Sequence, residues 1–152
     1  MIMTAMLRTR RGMACVFCSR EALTTRNRVV YEDELVVAIE DHYPRASTHL
    51  LVITREHLPS VNDLHATHSP LVRHMMEVGH KLLIDQGCVA ETDRQLGFHR
   101  PPFTSVQHLH LHCLGLPFLP AWNRLRYTET FLGSYVNAST VLSQLQEAKD
   151  IE

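Results

Sequence analysis

Three histidines, His108, His110 and His112, recur at every second position of "SVQHLHLHCLG", with Leu109, Leu111 and Cys113 between or after them. In an extended strand, successive side chains point to opposite faces. The spacing therefore lines three imidazoles along one face, neighbours about 7 Å apart, and sends the apolar partners into a core. Imidazole titrates near neutrality, ligates metals and can act as a nucleophile. Buried imidazoles need hydrogen-bond partners, so three on one face are not ordinary packing. The residues alone leave two chemistries open. One is a metal site. The other is nucleophilic catalysis, in which a central imidazole attacks phosphorus or carbon while its neighbours orient it and protonate the leaving group. Thr104 and Ser105, just before the triad, supply hydroxyls suited to phosphoryl oxygens. Asp41, after "VVAI", has the chemistry to accept from ribose hydroxyls, and equally that of a solvated turn residue.

A second chemical signal is "CVFC", Cys15 and Cys18. No apolar run approaches the ~18 residues of a membrane span, and no secretory signal is visible. A reducing compartment is therefore expected, where such a pair reads as half of a metal site rather than a bridge. Cys88 and Cys113 read as ordinary apolar cysteines. The chain has 11 histidines, and His65, His68, His74 and His80 fall in a helical region as surface residues. Its 152 residues suit one domain, and 45% apolar and 20% charged residues are an ordinary globular balance. A net charge of −1 gives no global argument for a nucleic-acid or membrane partner. The start, "MIMTAMLRTRRGMA", carries three arginines and no acid, which faintly resembles a mitochondrial transit peptide. The simpler expectation is a disordered basic tail over 1–13, a single domain over 14–152, and a cytoplasmic or nuclear protein.

The elements that must position these residues follow from periodicity. "RVVYED" and "ELVVAIED" predict a hairpin, "HYPRAST" a loop, and "HLLVITREH" a third strand. From Ser69 to Gln86, Leu71, Met75, Val78, Leu82 and Leu83 recur at helical spacing, opened by Ser69-Pro70 and closed by Gly87. "RQLGFHR" and "VQHLHLHCLG" predict two further strands, the last ended by Pro117 and Pro120. "STVLSQLQEAK" predicts a closing helix capped by Ser139 or Thr140. The sum is an α+β domain: an antiparallel five-stranded sheet, one long helix and a C-terminal helix.

"HLHLHCL" resembles the histidine triad pattern, His-φ-His-φ-His-φ-φ with φ apolar. "CVFC", "AIEDHYPRASTHLLVI" and "REHL" resemble the rest of that family's domain in the right order, over about residues 15–115. Within the histidine triad (HIT) superfamily the chain is most similar to the Hint branch of nucleotide-binding proteins. "GFHRPPFTSVQHLHLH" is closest to the third Hint subtype and its aprataxin-like relatives. The resemblance implies a HIT-like fold and cleavage of the P–N bond of adenosine 5′-phosphoramidates, or related adenylyl conjugates, to AMP. It implies that His110 is the nucleophile and forms a covalent nucleotidyl-histidine. His112 then contacts the phosphate and leaving group, supported by His108 and His49, while Ser105 donates to the phosphoryl group or leaving nitrogen. Asp41 would take the ribose hydroxyls. Phe17 and Ile39, with His42 and Leu51, would wall the base pocket, and Thr104 completes the nucleotide-binding set.

Related members bind structural zinc, which here implies Cys15, Cys18, His49 and His108 as a closed set. Catalysis itself would need no metal. The implied partners are a purine nucleotide and a second copy of the chain, paired through the helix and a strand; no membrane and no nucleic acid are expected. The chain departs from the best-known Hint pattern in two places. Gly97 stands at an Asn position before the triad, in "GFHRPPF", and the chain runs on past Trp122, Arg124 and Arg126 to a final helix. Three alternatives remain: an aprataxin-like DNA 5′-adenylate hydrolase, a non-catalytic nucleotide-binding or scaffold protein, and a metal-dependent enzyme using the three histidines as ligands.

Overall fold

The computed structural model describes residues 15–130 and 132–151, so the arginine-bearing start lies outside the described residues. A turn at the cysteine pair leads into helix α1 (Arg20–Arg26), whose cap Ser19 accepts from the Ala22 N–H at 3.2 Å. Strands β1 (Val29–Glu32) and β2 (Val36–Glu40) form the expected hairpin. Its turn is built on Asp33, which accepts the Leu35 and Val36 N–H groups at 2.7 and 2.8 Å. Strand β3 (Ala46–Thr54) follows, then the long helix α2 (Ser69–Asp85), β4 (Arg94–His99), β5 (His110–Phe118), β6 (Tyr135–Asn137) and α3 (Ala138–Ile151).

Among the described residues the sheet has six antiparallel strands in the order β1-β2-β3-β5-β4-β6, one more than expected. The sixth is only Tyr135–Asn137, too short to show a period of two, and it joins directly to α3. Boundaries also move: β5 opens at His110, not at Val106, and α3 opens at Ala138, which puts Ser139 and Thr140 inside the helix and not at its cap. Strand β3 begins inside the expected loop, at Ala46. Strand β5 continues past Pro117 to Phe118 because the register slips between Ala46 and Thr48, and a proline is tolerated at such an irregularity. Gly87 closes α2 at φ 98°, as read from the sequence.

The sheet's alternation divides the molecule into two sides. Val36, Ala38, Leu50, Val52, Leu96, Phe98, Leu109, Leu111 and Cys113 pack under α2 and α3, with Val72, Met75, Leu83, Val141 and Leu145 from the helices. The odd-numbered residues of β3 and β4 and the even-numbered residues of β5 face the other way, where no long helix covers them, and this face carries the histidines. His74, expected to be a plain surface residue, instead ties α2 to the hairpin turn: its Nε2 lies 2.6 Å from Asp33 Oδ2.

Candidate active site

Register places the imidazoles. His110 pairs with Ile53, and His112 with Leu51 on one side and Gly97 on the other. His110 and His112 are 8% and 7% exposed, so both are largely removed from water without being sealed off. His110 Nδ1 donates to the His108 carbonyl at 2.6 Å. That bond fixes the tautomer: the other nitrogen, Nε2, keeps its lone pair, and it makes no hydrogen bond among the described residues. His110 lines a cavity of about 580 Å³ together with His112, Asp41, Thr104 and Ser105. Burial pushes its pKa below the usual imidazole value, partly offset by the bond to the His108 carbonyl. A neutral imidazole with one free lone pair facing a cavity is a nucleophile.

His112 belongs to a longer line of rings. The Arg45 N–H donates to His49 Nδ1 at 3.0 Å, so the His49 proton sits on Nε2. His49 Nε2 is 2.9 Å from His112 Nδ1 and 3.3 Å from Asp41 Oδ2. His112 therefore carries its own proton on Nε2, which is 3.2 Å from His99 Nδ1, and His99 Nε2 in turn donates to the Arg126 carbonyl at 2.8 Å. Three neutral rings are threaded between two backbone groups, and every proton on the line has one position. Burial depresses all three. His49 falls to about 4, with the Asp41 charge opposing; His112 falls well below the usual value, helped by His110, His99 and His49. In His99, burial outweighs the Arg126 carbonyl.

Tyr127 packs across the line, its ring 5.8, 5.4 and 4.9 Å from those of His49, His112 and His99. Its hydroxyl is pushed up to about 12, chiefly by burial. Gly97 has a specific reason to lack a side chain, because a Cβ there would overlap the Tyr135 hydroxyl. The space an Asn would fill is occupied by Tyr135 from the C-terminal extension.

A family profile described as "Scavenger mRNA decapping enzyme C-term binding" matches residues 14–127. The chain is 43% identical over 138 residues to the bifunctional adenosine 5′-phosphosulfate phosphorylase/adenylylsulfatase HINT4 of Arabidopsis thaliana, covering 89% of this chain and 93% of that one. It is 33% identical to the adenosine 5′-monophosphoramidase HINT3 of Xenopus tropicalis, over 88% of each. The crystal structure of a HIT family hydrolase from Legionella pneumophila superposes with a TM-score of 0.62 at 32% identity, covering 68% of this chain and 93% of that one. The chain belongs to the histidine triad superfamily.

Not every residue expected of a histidine triad site lies at the cavity. Asp41, Thr104, Ser105, His110 and His112 line it, and Asp41 Oδ1 also accepts from the Tyr43 N–H at 2.8 Å. Ile39 and Leu51 do not line it. They form an apolar cluster with Val37, Ile53 and Leu23, against which Phe17 packs. Phe17 meets the His110 ring edge-on, centroids 5.3 Å apart. His42 is exposed beside Tyr43 and lies off the cavity lining, because the Asx turn at Asp41 directs it to solvent. Sequence reasoning missed His99, Arg45 and Tyr127; of the tail residues Trp122, Arg124 and Arg126, which the sequence leaves open to the leaving-group side, a partner surface or plain packing, Arg126 lines the cavity. The signal for His99 was parity: it is two residues after Gly97, on the same face of β4.

The expected zinc set needs a correction at one ligand. The structure groups Cys15, Cys18, His57 and His108, while His49 sits at the other end of the triad strand with Asp41 and His112. His49 and Thr54 are five residues apart on β3, about 17 Å by strand rise, and the cysteines lie beyond the Thr54 end. His57, just past that end, is the residue in reach. Cys15 Sγ and Cys18 Sγ are 3.3 and 3.4 Å from His108 Nδ1, Cys18 Sγ is 3.2 Å from His57 Nδ1, and the two Nδ1 atoms are 3.0 Å apart. A tetrahedral ion with ordinary Zn–S and Zn–N bonds separates its ligands by about 3.3–3.8 Å. His108 Nε2 donates to the Thr54 carbonyl at 2.6 Å, which leaves Nδ1 free to ligate. The donor set fits zinc. The second grouping does not fit a metal, because the His49 proton occupies the nitrogen that would have to bind.

Proposed function

We propose that this chain is a nucleotide hydrolase that releases AMP from adenosine 5′-phosphoramidate and related adenylyl conjugates through a nucleotidyl-His110 intermediate. The observation that carries the reading is the His110 ring itself, held by the His108 carbonyl at Nδ1 and open to the cavity at Nε2. The Nε2 lone pair forms a bond to the α-phosphorus, and the P–N bond to the leaving amine breaks with its electron pair going to nitrogen. The amine takes up one proton. Water then attacks the same phosphorus, the P–Nε2 bond breaks, His110 returns neutral, and the water's proton balances the one taken up. The Ser105 hydroxyl, and the His112 Nε2–H shared between His99 Nδ1 and the substrate, are donors for the phosphoryl oxygens, and Asp41 is the acceptor for the ribose hydroxyls. The relatives named above act on an adenylyl sulfate and a phosphoramidate, so purine nucleotides are the substrate class.

Cys15, Cys18, His57 and His108 would hold a zinc ion, which would supply structural stability and not the chemistry. His108 would then be held by the ion at Nδ1 and by Thr54 at Nε2, while its carbonyl orients the nucleophile.

The homodimer expected from the family would have to use a surface other than α2 and β4. Here β6 pairs with the free edge of β4, and Val141 and Leu145 of α3 are buried against the α2 side of the core. With the β4 edge and the α2 side covered by its own C-terminal extension, the chain is read as a monomer in place of the homodimer the family resemblance implies.

The test is incubation with adenosine 5′-phosphoramidate in the absence of added metal, beside His110→Ala. AMP release by the wild type alone is the expected result. Equal silence from both overturns the reading.

A further inference from the structure

We propose that the Tyr127 hydroxyl is the proton donor to the leaving nitrogen, and that the tyrosinate it becomes takes a proton back from the water that frees His110. This role rests on the nucleotidyl-transfer reading, in which the departing amine must take up a proton.

Tyr127 belongs to the segment between β5 and β6 and lines the same cavity as His110, His112 and Ser105. Its ring is held from several directions. It packs on His49, His112 and His99; Phe118 stacks on it with centroids 5.7 Å apart, Tyr135 meets it edge-on at 5.7 Å, and Gln95 Nε2 donates to its carbonyl. The hydroxyl makes no hydrogen bond among the described residues. Nor is it sealed in, because the buried side-chain atoms left without a partner there are Arg100 Nε and Asn123 Oδ1. Tyr127 is 5% exposed and borders the cavity, so the cavity is where its hydroxyl meets solvent. The charges of Asp41, Arg45 and Arg126, which line the same cavity, act on it there. A fixed ring thus presents an unspent O–H to the space that His110 attacks. The ring packs on His112 and, among the described residues, not on His110, which sets the hydroxyl beside the phosphoryl group and away from the attacking nitrogen.

The other donors on the lining are unsuited to the task. Burial keeps His112 and His99 neutral, so neither ring has a second proton to give, and the one proton of His112 is shared with His99. Arg45 and Arg126 do not lose a proton in proteins. Thr104, Ser105 and Ser134 offer aliphatic hydroxyls, much weaker acids than a phenol. Tyr43, the other phenol on the lining, is 76% exposed and has no such ring contacts to hold it. Tyr127 is pushed up to about 12, chiefly by burial and then by the Asp41 charge, so it holds its proton until the amine leaves.

The steps balance. His110 Nε2 bonds to the α-phosphorus, the P–N bond breaks with its electron pair on nitrogen, and the Tyr127 proton moves to that nitrogen. The tyrosinate then takes one proton from the attacking water, whose oxygen bonds to phosphorus as the P–Nε2 bond breaks. AMP is released with His110 and Tyr127 both restored.

A leaving group that needs no proton isolates this role. Adenosine 5′-phosphoramidate and the p-nitrophenyl ester of AMP, whose phenolate departs as a stable anion, should be compared on the wild type and Tyr127→Phe. The expected result is a fall of about 100-fold in kcat/KM for the amide, with the ester little changed. An equal fall on both substrates returns Tyr127 to packing and overturns the proposal, as does an unchanged amide rate. Replacing Tyr127 with 3,5-difluorotyrosine keeps the ring and the hydroxyl and makes the phenol a stronger acid. Turnover of the amide should then be lost with rising pH at a lower pH than in the wild type, and an unmoved alkaline limb overturns the proposal. AMP release by the wild type from both substrates upholds the hydrolase reading whatever Tyr127→Phe does; release from neither overturns that reading and the donor with it.

Discussion

Nε2 of His112 lies 3.2 Å from Nδ1 of His99, a ring that stands outside the three-histidine repeat and decides where the His112 proton resides. With the His99 proton held by the Arg126 carbonyl, its Nδ1 can only accept, so His112 presents an N–H on the cavity side.

His99 is therefore a positioning residue, and its loss should be read in kcat. His99→Ala should lower kcat on the order of 100-fold, with a smaller change in KM. His99→Gln, whose amide oxygen accepts the same hydrogen bond, should restore most of it. Profiles of kcat for the three proteins between pH 5 and 9 make the check. A His99→Ala enzyme with wild-type kcat across that range would show that the line of rings does not set the His112 tautomer.

The two four-residue readings of the metal site separate by single substitutions. His57→Ala and Cys18→Ser should abolish bound zinc measured by elemental analysis, and lower Tm by several degrees, since a closed structural site contributes directly to folding. His49→Ala should keep a full equivalent of zinc while losing activity. Zinc retained in His57→Ala but lost in His49→Ala would restore the set expected from the family resemblance.

What the sequence made legible was what depends on local period. The alternation of "HLHLHCL" assigned His110 and His112 to one face and Leu111 and Cys113 to the core, and helical spacing located α2 almost to the residue. What it hid was set by distance along strands that pair far apart in the chain. His57 replaced His49 at the cysteines because β3 is nine residues long and its two ends serve different clusters. His99 joined the triad through the β4–β5 register, which no local pattern encodes. Strand β6 was invisible because Tyr135–Asn137 owes its extension to pairing with β4 and to Tyr135 filling the space over Gly97.

Acid should destabilise the fold below pH 6.5, and the sign follows from His49. An unfolded imidazole binds its proton near 6.5, whereas folded His49 stays neutral down to about 4 because burial opposes the charge. The unfolded chain thus takes up the proton first. Stability from this group is complete above 6.5 and is lost between 6.5 and 4, on the order of 3 kcal/mol. Asp33 extends the loss to lower pH. Burial opposes its charge, but the Val36 and Leu35 N–H groups, His74 and Tyr31 hold its carboxyl well below the usual range, so its contribution also disappears as pH falls. Urea midpoints at pH 7.5, 6, 5 and 4.5 should decline monotonically, with a shallower decline in His49→Gln. A midpoint flat from pH 7.5 to 5 would rule out buried neutral imidazoles.

The last expectation concerns the edge of the sheet. A strand edge left open beside an apolar helix invites a second chain to pair with it. In this protein β6 closes that edge over Gly97, Phe98 and His99, while α3 buries Val141 and Leu145 on the helix side. The same segment brings Ser134 to the cavity wall and Tyr135 against His99, so the extension covers the β4 edge and adds to the cavity wall. Light scattering should therefore give the mass of one chain, 17.4 kDa, at concentrations where the enzyme is fully active. Truncation before Thr128 should remove activity and drive association or precipitation together, because it uncovers the β4 edge, the α2 face and the cavity wall at once. An active, soluble truncated chain would show that the extension neither caps the sheet nor builds the site.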